Sequence, residues 1–253
     1  MGKLRPVALS IAGLDPSGGA GVFADIKTFE ANKVYGFGIA SANTFQNDIE
    51  FEKSEWTDLN KILEQVDLLQ KRFKIDHVKI GLIENFDVML KLVNELKARN
   101  NDVNIIWDPI LKASAGLEFH KTPDLALLEN ICKEIYLLTP NFQEATKLGK
   151  SNDAFLNAKH LSQFCNVLLK GGHNEKKKGY DLLFLNDGKE FSFKPKTKEK
   201  VEKHGSGCVL SSAITANLAK GFKIHLACLR AKEYTTKFLL SNKTLLEIGR
   251  AHV

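Results

Sequence analysis

The amino-acid sequence predicts an α/β protein: one domain spanning residues 1–253, with a central, mostly parallel sheet covered by helices on both faces. Three observations carry this. Short apolar runs alternate with segments whose apolar residues recur at helical spacing. Several runs end sharply at proline or glycine, as in "NIIWDP", "YLLTP" and "LLKGG". Finally, 253 residues, 43% of them hydrophobic, are enough for one sizeable core, and no repeat, low-complexity tract or linker divides the chain.

Taken in order, "PVALSIAG" reads as a buried first strand running into a glycine loop. "VFADIKTFEANK" follows as a helix, because Val22, Ile26 and Phe29 recur at helical spacing. "GFGIASAN" is the next strand. Leu59, Ile62, Val66 and Leu69 share one face of a helix from about Asp58 to Phe73. "HVKIG" is a strand, and Met89, Leu92, Val93 and Leu96 mark another helix. "VNIIWDP" and "EIYLLTP" are strands stopped by Pro109 and Pro140, and "NVLLKGG" is one stopped by two glycines. "YDLLFL" and "EFSF" form a late strand pair. From Ser206 the chain reads as two helices with a break near Gly221.

Composition narrows the function classes. No apolar run approaches the roughly 20 residues that span a bilayer, and "MGKLRPVALSIAG" lacks the layout of a signal peptide. No membrane partner is expected. Cys132, Cys165, Cys208 and Cys228 lie far apart with no C-x-x-C, so neither a zinc knuckle nor a disulfide framework is suggested. A reducing cytoplasm is the expected location. The net charge of +6 admits nucleic acid, a membrane surface or small anions as partners. The basic residues concentrate in "NEKKKG" and "KPKTKEKVEKH", without interleaved aromatics and interrupted by glutamate. Solvated loops are expected there rather than a nucleic-acid surface, although the second cluster, just upstream of His204, could attract phosphate.

In parallel sheets the ligand sits at the carboxyl ends of the strands. Here those ends carry Asp15-Pro-Ser-Gly-Gly, Gln46-Asn, Asp108-Pro, Thr139-Pro-Asn and Lys170-Gly-Gly-His. Gly205, Ser206, Gly207 and Cys208 open a helix, whose unpaired N–H groups and dipole favour an anion; a plain glycine turn is the competing reading. No Walker A loop occurs, and no G-x-G-x-x-G follows a strand. Asp108 at a strand end suits magnesium or a phosphate-bound water, or is an ordinary turn aspartate. Asn141 and Glu144 are spaced as a capping box, a role compatible with a site at the same edge. Lys170 would reach phosphates as a point charge or point to water. His173 and His204 border glycines and read as structural or exposed. Asp25 fits an early helical turn, and Gln46 an ordinary loop amide.

The segments "SIAGLDPSGGAGVFADIKTF", "FQND", "KIG", "WDPIL", "LLTPNFQEA", "LLKGGH" and "HGSGCVLSSAITANLAKG" together resemble the hydroxymethylpyrimidine/phosphomethylpyrimidine kinases of thiamine biosynthesis, a branch of the ribokinase-like superfamily. The resemblance runs in order from about residue 7 to residue 222, and the glycine-rich anion hole ending in cysteine is its most distinguishing part. It implies a ribokinase-like three-layer α/β/α domain that uses ATP and Mg2+. The implied reaction phosphorylates 4-amino-5-hydroxymethyl-2-methylpyrimidine and then its monophosphate. Carried over by motif, Gly13, Asp25, Gln46 and Gly81 would line the pyrimidine site, with Asp25 and Gln46 hydrogen-bonding the aminopyrimidine edge. Asp108 and Glu144 would hold magnesium through its waters near the phosphates, and Asn141, with Lys170, Gly205 and Gly207, would bind ATP. Lys170 would meet the ATP phosphates, and Gly205, Ser206, Gly207 and Cys208 would form the anion hole. A thiol at a helix N-terminus is expected to have a lowered pKa, which would let Cys208 accept the hydroxyl proton late in the transfer. The resemblance also implies a homodimer, and Lys196–His204 is a candidate mobile lid.

Three features depart from the family pattern. Ser206 stands where threonine is usual, Glu84 puts a charge where a small residue is common, and "LLEIGRAHV" lacks the usual glycine-rich closing segment with proline. Two rival functions are weighed beside this one: a vitamin B6 (pyridoxal/pyridoxine) kinase, and a non-catalytic pyrimidine-binding relative. Retention of Asp108, Glu144, Lys170 and Cys208 argues against the second.

Overall fold

The computed structural model describes residues 4–111, 124–173, 179–197 and 202–246. The lysines of "NEKKKG", residues 198–201 of the Lys196–His204 segment and the end of "LLEIGRAHV" lie outside these. The described elements are β1 (Val7–Leu14), α1 (Gly21–Ala31), β2 (Tyr35–Gln46), β3 (Phe51–Trp56), α2 (Leu59–Gln70), β4 (His77–Ile80), α3 (Phe86–Arg99) and β5 (Asn104–Trp107). They continue with α4 (Leu125–Glu134), β6 (Leu137–Leu138), α5 (Phe142–Leu148), α6 (Ala154–Leu161), β7 (Asn166–Leu169), β8 (Asp181–Phe184), β9 (Glu190–Phe193), α7 (Ser206–Ala219) and α8 (Ile224–Leu239).

The strands form one sheet in the order β3-β2-β1-β4-β5-β6-β7-β8-β9. The centre from β2 to β7 is parallel, as expected, and both edges are antiparallel: β3 on β2, then β8 and β9 beyond β7. β3, α4 and α6 were not legible. "FEKSEW" is too polar to read as a strand, and it is held by hairpin pairing to β2. α4 and α6 are short, with 10 and 8 residues, and carry only a turn or two of apolar spacing.

Alternation along the strands splits the core between two faces. Leu9, Ile11, Ile105, Trp107, Val167 and Leu169 join the cluster that contains the apolar faces of α2 to α6. Ile106 and Leu168 point the other way, toward α7 and α8, while Ala8 meets α1 and α7. α7 is buried on nearly every side from Cys208 to Leu218. Its small residues, Ser211, Ser212, Ala213, Thr215 and Ala216, let it lie close over β1, β4 and β5. The strand order reverses at β1, which has β2 on one side and β4 on the other, so a crevice opens at the carboxyl ends of the strands there. No helix among the described residues is long and apolar enough to cross a membrane.

Candidate active site

Asp108 follows directly on β5, and its N–H still donates to the Ile80 carbonyl at 2.9 Å before Pro109 ends the strand. Lys170 follows on β7 in the same way, donating its N–H to the Pro140 carbonyl at 2.8 Å. The two side chains therefore emerge on one edge, 62 residues apart in sequence. Lys170 Nζ donates to Asp108 Oδ1 at 2.7 Å and stands 3.7 Å from Glu144 Oε2. Asn141 caps α5, accepting from the Glu144 N–H at 2.9 Å, while Glu144 Oε2 accepts from the Asn141 N–H at 2.6 Å. The capping box and the charge cluster thus coexist.

The electrostatics are those of a site short of one positive charge. Burial would push Asp108 up, but Lys170 and Lys79 hold its carboxyl below the ordinary range. Burial would neutralise Lys170, but Asp108 and Glu144 keep it firmly charged. Burial pushes Glu144 up to about 7; Lys170 opposes this and Asp108 reinforces it. A carboxyl with a raised folded pKa binds a proton more readily when folded, so its contribution weakens as pH rises from its unfolded value toward about 7. Glu144→Gln is accordingly expected to flatten the fall in thermal stability of the metal-free chain between about pH 4.5 and pH 7. An unchanged slope in differential scanning calorimetry would show that Glu144 is not the titrating group.

The N-terminus of α7 lies over this cluster. A Cβ on Gly207 would stand 3.6 Å from both Asp108 Oδ2 and Lys170 Nζ. Ser211, one turn further on, donates to Asp108 Oδ2 at 3.2 Å. Gly205 caps the helix with φ 72°, and a side chain there would collide with the Gly19 carbonyl, so glycine is required on two counts. Cys208 is placed as expected, in the first turn, but its acidity is not. Burial pushes the thiol up to about 11; Lys79 pulls it down, and Asp25 and Asp108 push it further up. The expected lowering by the helix terminus is corrected by desolvation, because Cys208 is only 5% exposed.

Gly13 and Gly81 lie at the carboxyl ends of the neighbouring strands β1 and β4, while Gln46 ends β2 four positions beyond Ala42, the partner of Gly13. Gln46 donates to Thr44 Oγ1 at 2.9 Å. A small apolar pocket opens beside Gly81, lined by Ile83, Phe86, Met89, Trp107 and Leu111. Glu84 is exposed. Asp25 departs from its expected place. It is wholly enclosed, and its oxygens accept from Lys79 at 2.8 and 3.0 Å, from Ser10 at 2.5 Å and from Ser212 at 2.6 Å.

Lys79 is the residue sequence reasoning missed. Its ammonium is fully buried, and a Cβ on Gly81 would lie 2.9 Å from it. The signal was present: strand alternation puts Lys79 on the opposite face from Val78 and Ile80, so a charge there points into the α1–α7 layer. Asp181 and Lys232 were also missed. They pair at 2.6 Å, and Asp181 Oδ1 accepts from the Gly171 N–H at 2.8 Å, securing the turn that follows Lys170.

A sequence profile described as phosphomethylpyrimidine kinase matches residues 15–253. The chain belongs to the phosphomethylpyrimidine kinase family. The hydroxymethylpyrimidine/phosphomethylpyrimidine kinase of Aquifex aeolicus is 33% identical over 249 residues, covering 94% of this chain and 96% of that one. The Escherichia coli protein of the same name is 32% identical over 218 residues, covering 83% and 81%. Among solved structures, a phosphomethylpyrimidine kinase from Clostridium difficile 630 superimposes with a TM-score of 0.76 at 30% identity, covering 92% of this chain and 99% of that one. An ADP complex of Bacillus subtilis pyridoxal kinase gives 0.79 at 26%, covering 92% and 91%. The ribokinase-like α/β fold expected from the motifs is therefore present, and this phosphomethylpyrimidine kinase family member is a phosphotransferase with an alcohol acceptor.

Proposed function

We propose that the protein transfers the γ-phosphoryl group of ATP to the hydroxymethyl group of 4-amino-5-hydroxymethyl-2-methylpyrimidine, and then phosphorylates the monophosphate. The observation that carries this is the first turn of α7 lying directly over the Asp108–Lys170–Glu144 cluster at the carboxyl edge of the sheet. Phosphoryl transfer passes through a loose transition state, so positioning and charge stabilisation do most of the catalysis. Lys170 meets the ATP phosphates, and the N–H groups of Gly205–Cys208 face the transferring group. Gly13, Gln46 and Gly81 line the pyrimidine side.

Magnesium fits the donor set. Two carboxylates, Asp108 and Glu144, stand on either side of Lys170, and Mg2+ is commonly held by one or two carboxylates with waters and phosphates. Bound there, it would neutralise charge developing on the phosphates. Assembly as a homodimer is part of the same reading.

Cys208 begins the reaction as a thiol, since burial keeps it protonated at neutral pH. The acceptor hydroxyl can keep its proton until late, so a ready-made base is not required. Cys208→Ala is expected to lower kcat by about tenfold while ATP affinity holds, because the backbone N–H groups remain. A loss of about 10²–10⁴-fold in kcat would instead mark Cys208 as the proton acceptor.

The deciding assay incubates the protein with ATP, Mg2+ and the hydroxymethylpyrimidine and looks for the phosphate ester by mass spectrometry. Absence of product beside a working family enzyme would sink the proposal. The likeness to a pyridoxal kinase supports one second reading, phosphorylation of B6 vitamers. Comparison of kcat/KM on the two acceptors separates them, since both present a hydroxymethyl on a nitrogen heteroaromatic ring.

A further inference from the structure

We propose that Asp15 and His204 are positioning residues for phosphoryl transfer: their contact latches the loop before α1 to the turn before α7 and so sets where the N–H groups of Gly205–Cys208 stand. The inference rests on reading the α7 terminus as the cradle of the transferring phosphoryl group.

Neither helix has a side-chain cap of its own. Ala20 caps α1 and Gly205 caps α7, and no side chain accepts from either first turn locally. One carboxylate joins the segments that precede them, bonding the backbone before α1 and a side chain before α7. Asp15 Oδ2 accepts from the Ala20 N–H at 2.8 Å and from Ser17 Oγ at 2.9 Å, while Oδ1 accepts from the Ser17 N–H at 2.8 Å. The same Oδ2 meets His204 Nε2 at 2.8 Å, across 189 positions of sequence. Asp15 is fully buried and the His204 side chain is 6% exposed, so water does not compete for the bond. Packing tightens the join. A Cβ on Gly19 would lie 2.6 Å from His204 Cδ2, and one on Gly205 would collide with the Gly19 carbonyl. A third segment closes over the turn: Lys203 Nζ donates to Asn242 Oδ1 at 2.6 Å and to the Thr244 carbonyl at 2.7 Å, and the His204 N–H donates to the Leu245 carbonyl at 3.0 Å. A helix start with no cap of its own is thus held from outside, immediately before the residues proposed to receive charge.

Such a role acts through geometry in the transition state. A displacement of about 1 Å in a catalytic group can cost about 10²-fold in rate. Asp15→Asn and His204→Leu are each expected to lower kcat by about that factor while KM for ATP stays within about threefold. His204→Gln, which returns a donor near the Nε2 position, is expected to recover most of the loss. The double variant Asp15→Asn/His204→Leu should be no slower than either single one, because both break one contact. A kcat for Asp15→Asn within threefold of the parent, additive losses in the double variant, or a loss lying entirely in the KM for ATP would overturn the proposal. Should the parent phosphorylate neither the pyrimidine nor a B6 vitamer, the functional reading fails by itself. The latch is then judged by amide hydrogen exchange in the whole chain. Faster exchange at residues 205–208 in Asp15→Asn supports it, and unchanged exchange overturns it.

Discussion

Lys170→Met is expected to lower kcat/KM for ATP by about 10²–10³-fold, the scale seen when one preorganised donor is removed from developing charge. Lys170 is the cation between Asp108 and Glu144, and it lies beneath the helix terminus at Gly207. Methionine keeps most of the stem and removes the charge, so two carboxylates are left to repel each other and the incoming phosphates. Arginine is not expected to restore activity, because its planar fork demands a different geometry from an ammonium seated at 2.7 Å on a single oxygen. Steady-state kinetics with calorimetric binding of a non-hydrolysable ATP analogue provide the check. A variant within threefold of the parent would remove Lys170 from the machinery.

Lys79→Met is expected to destabilise the fold by about 3–5 kcal/mol, the cost typical of stranding a buried charge. Lys79 and Asp25 are both fully enclosed, and Asp25 would keep only its bonds from Ser10 and Ser212. Pairing the change with Asp25→Asn removes the stranded charge and should recover much of the loss. Urea unfolding of the parent, the single variant and the double variant measures this directly. A single variant less than about 1 kcal/mol below the parent would mean that Asp25 takes up a proton or another partner at little cost.

Much of the candidate site could be read before the fold was known. Asp108, Asn141 and Lys170 could be located because proline or glycine ends each strand beside them, but spacing alone left each a plain structural reading, and it was their common order with the family's motifs that favoured a site. Glu144 was visible as a cap from its spacing and as a magnesium-side carboxylate from the resemblance, and the fold adds that it stands 3.7 Å from Lys170. The burial of Asp25 was not legible, for a physical reason. The residue reads as an early helical turn residue or as a hydrogen-bonding partner of the pyrimidine, and neither reading anticipates full burial, which Lys79 on β4 makes tolerable. Cys208 was rightly located but given the wrong acidity, since the helix terminus is a local property and desolvation is not.

The sequence by itself determined the parallel α/β class, the strand ends that carry polar residues, the glycine-rich start of α7 and the kinase family. These rest on local pattern: alternation, helical spacing, and the few residues that end a strand or open a helix. Only the tertiary structure decided which distant groups share a charge. Lys79 with Asp25, Lys170 with both Asp108 and Glu144, Asp181 with Lys232, and Asp15 with His204 are each set by strand order and by how α7 and α8 lie across the sheet. A buried charge is stable only beside its partner, and no local pattern records where the chain will bring that partner.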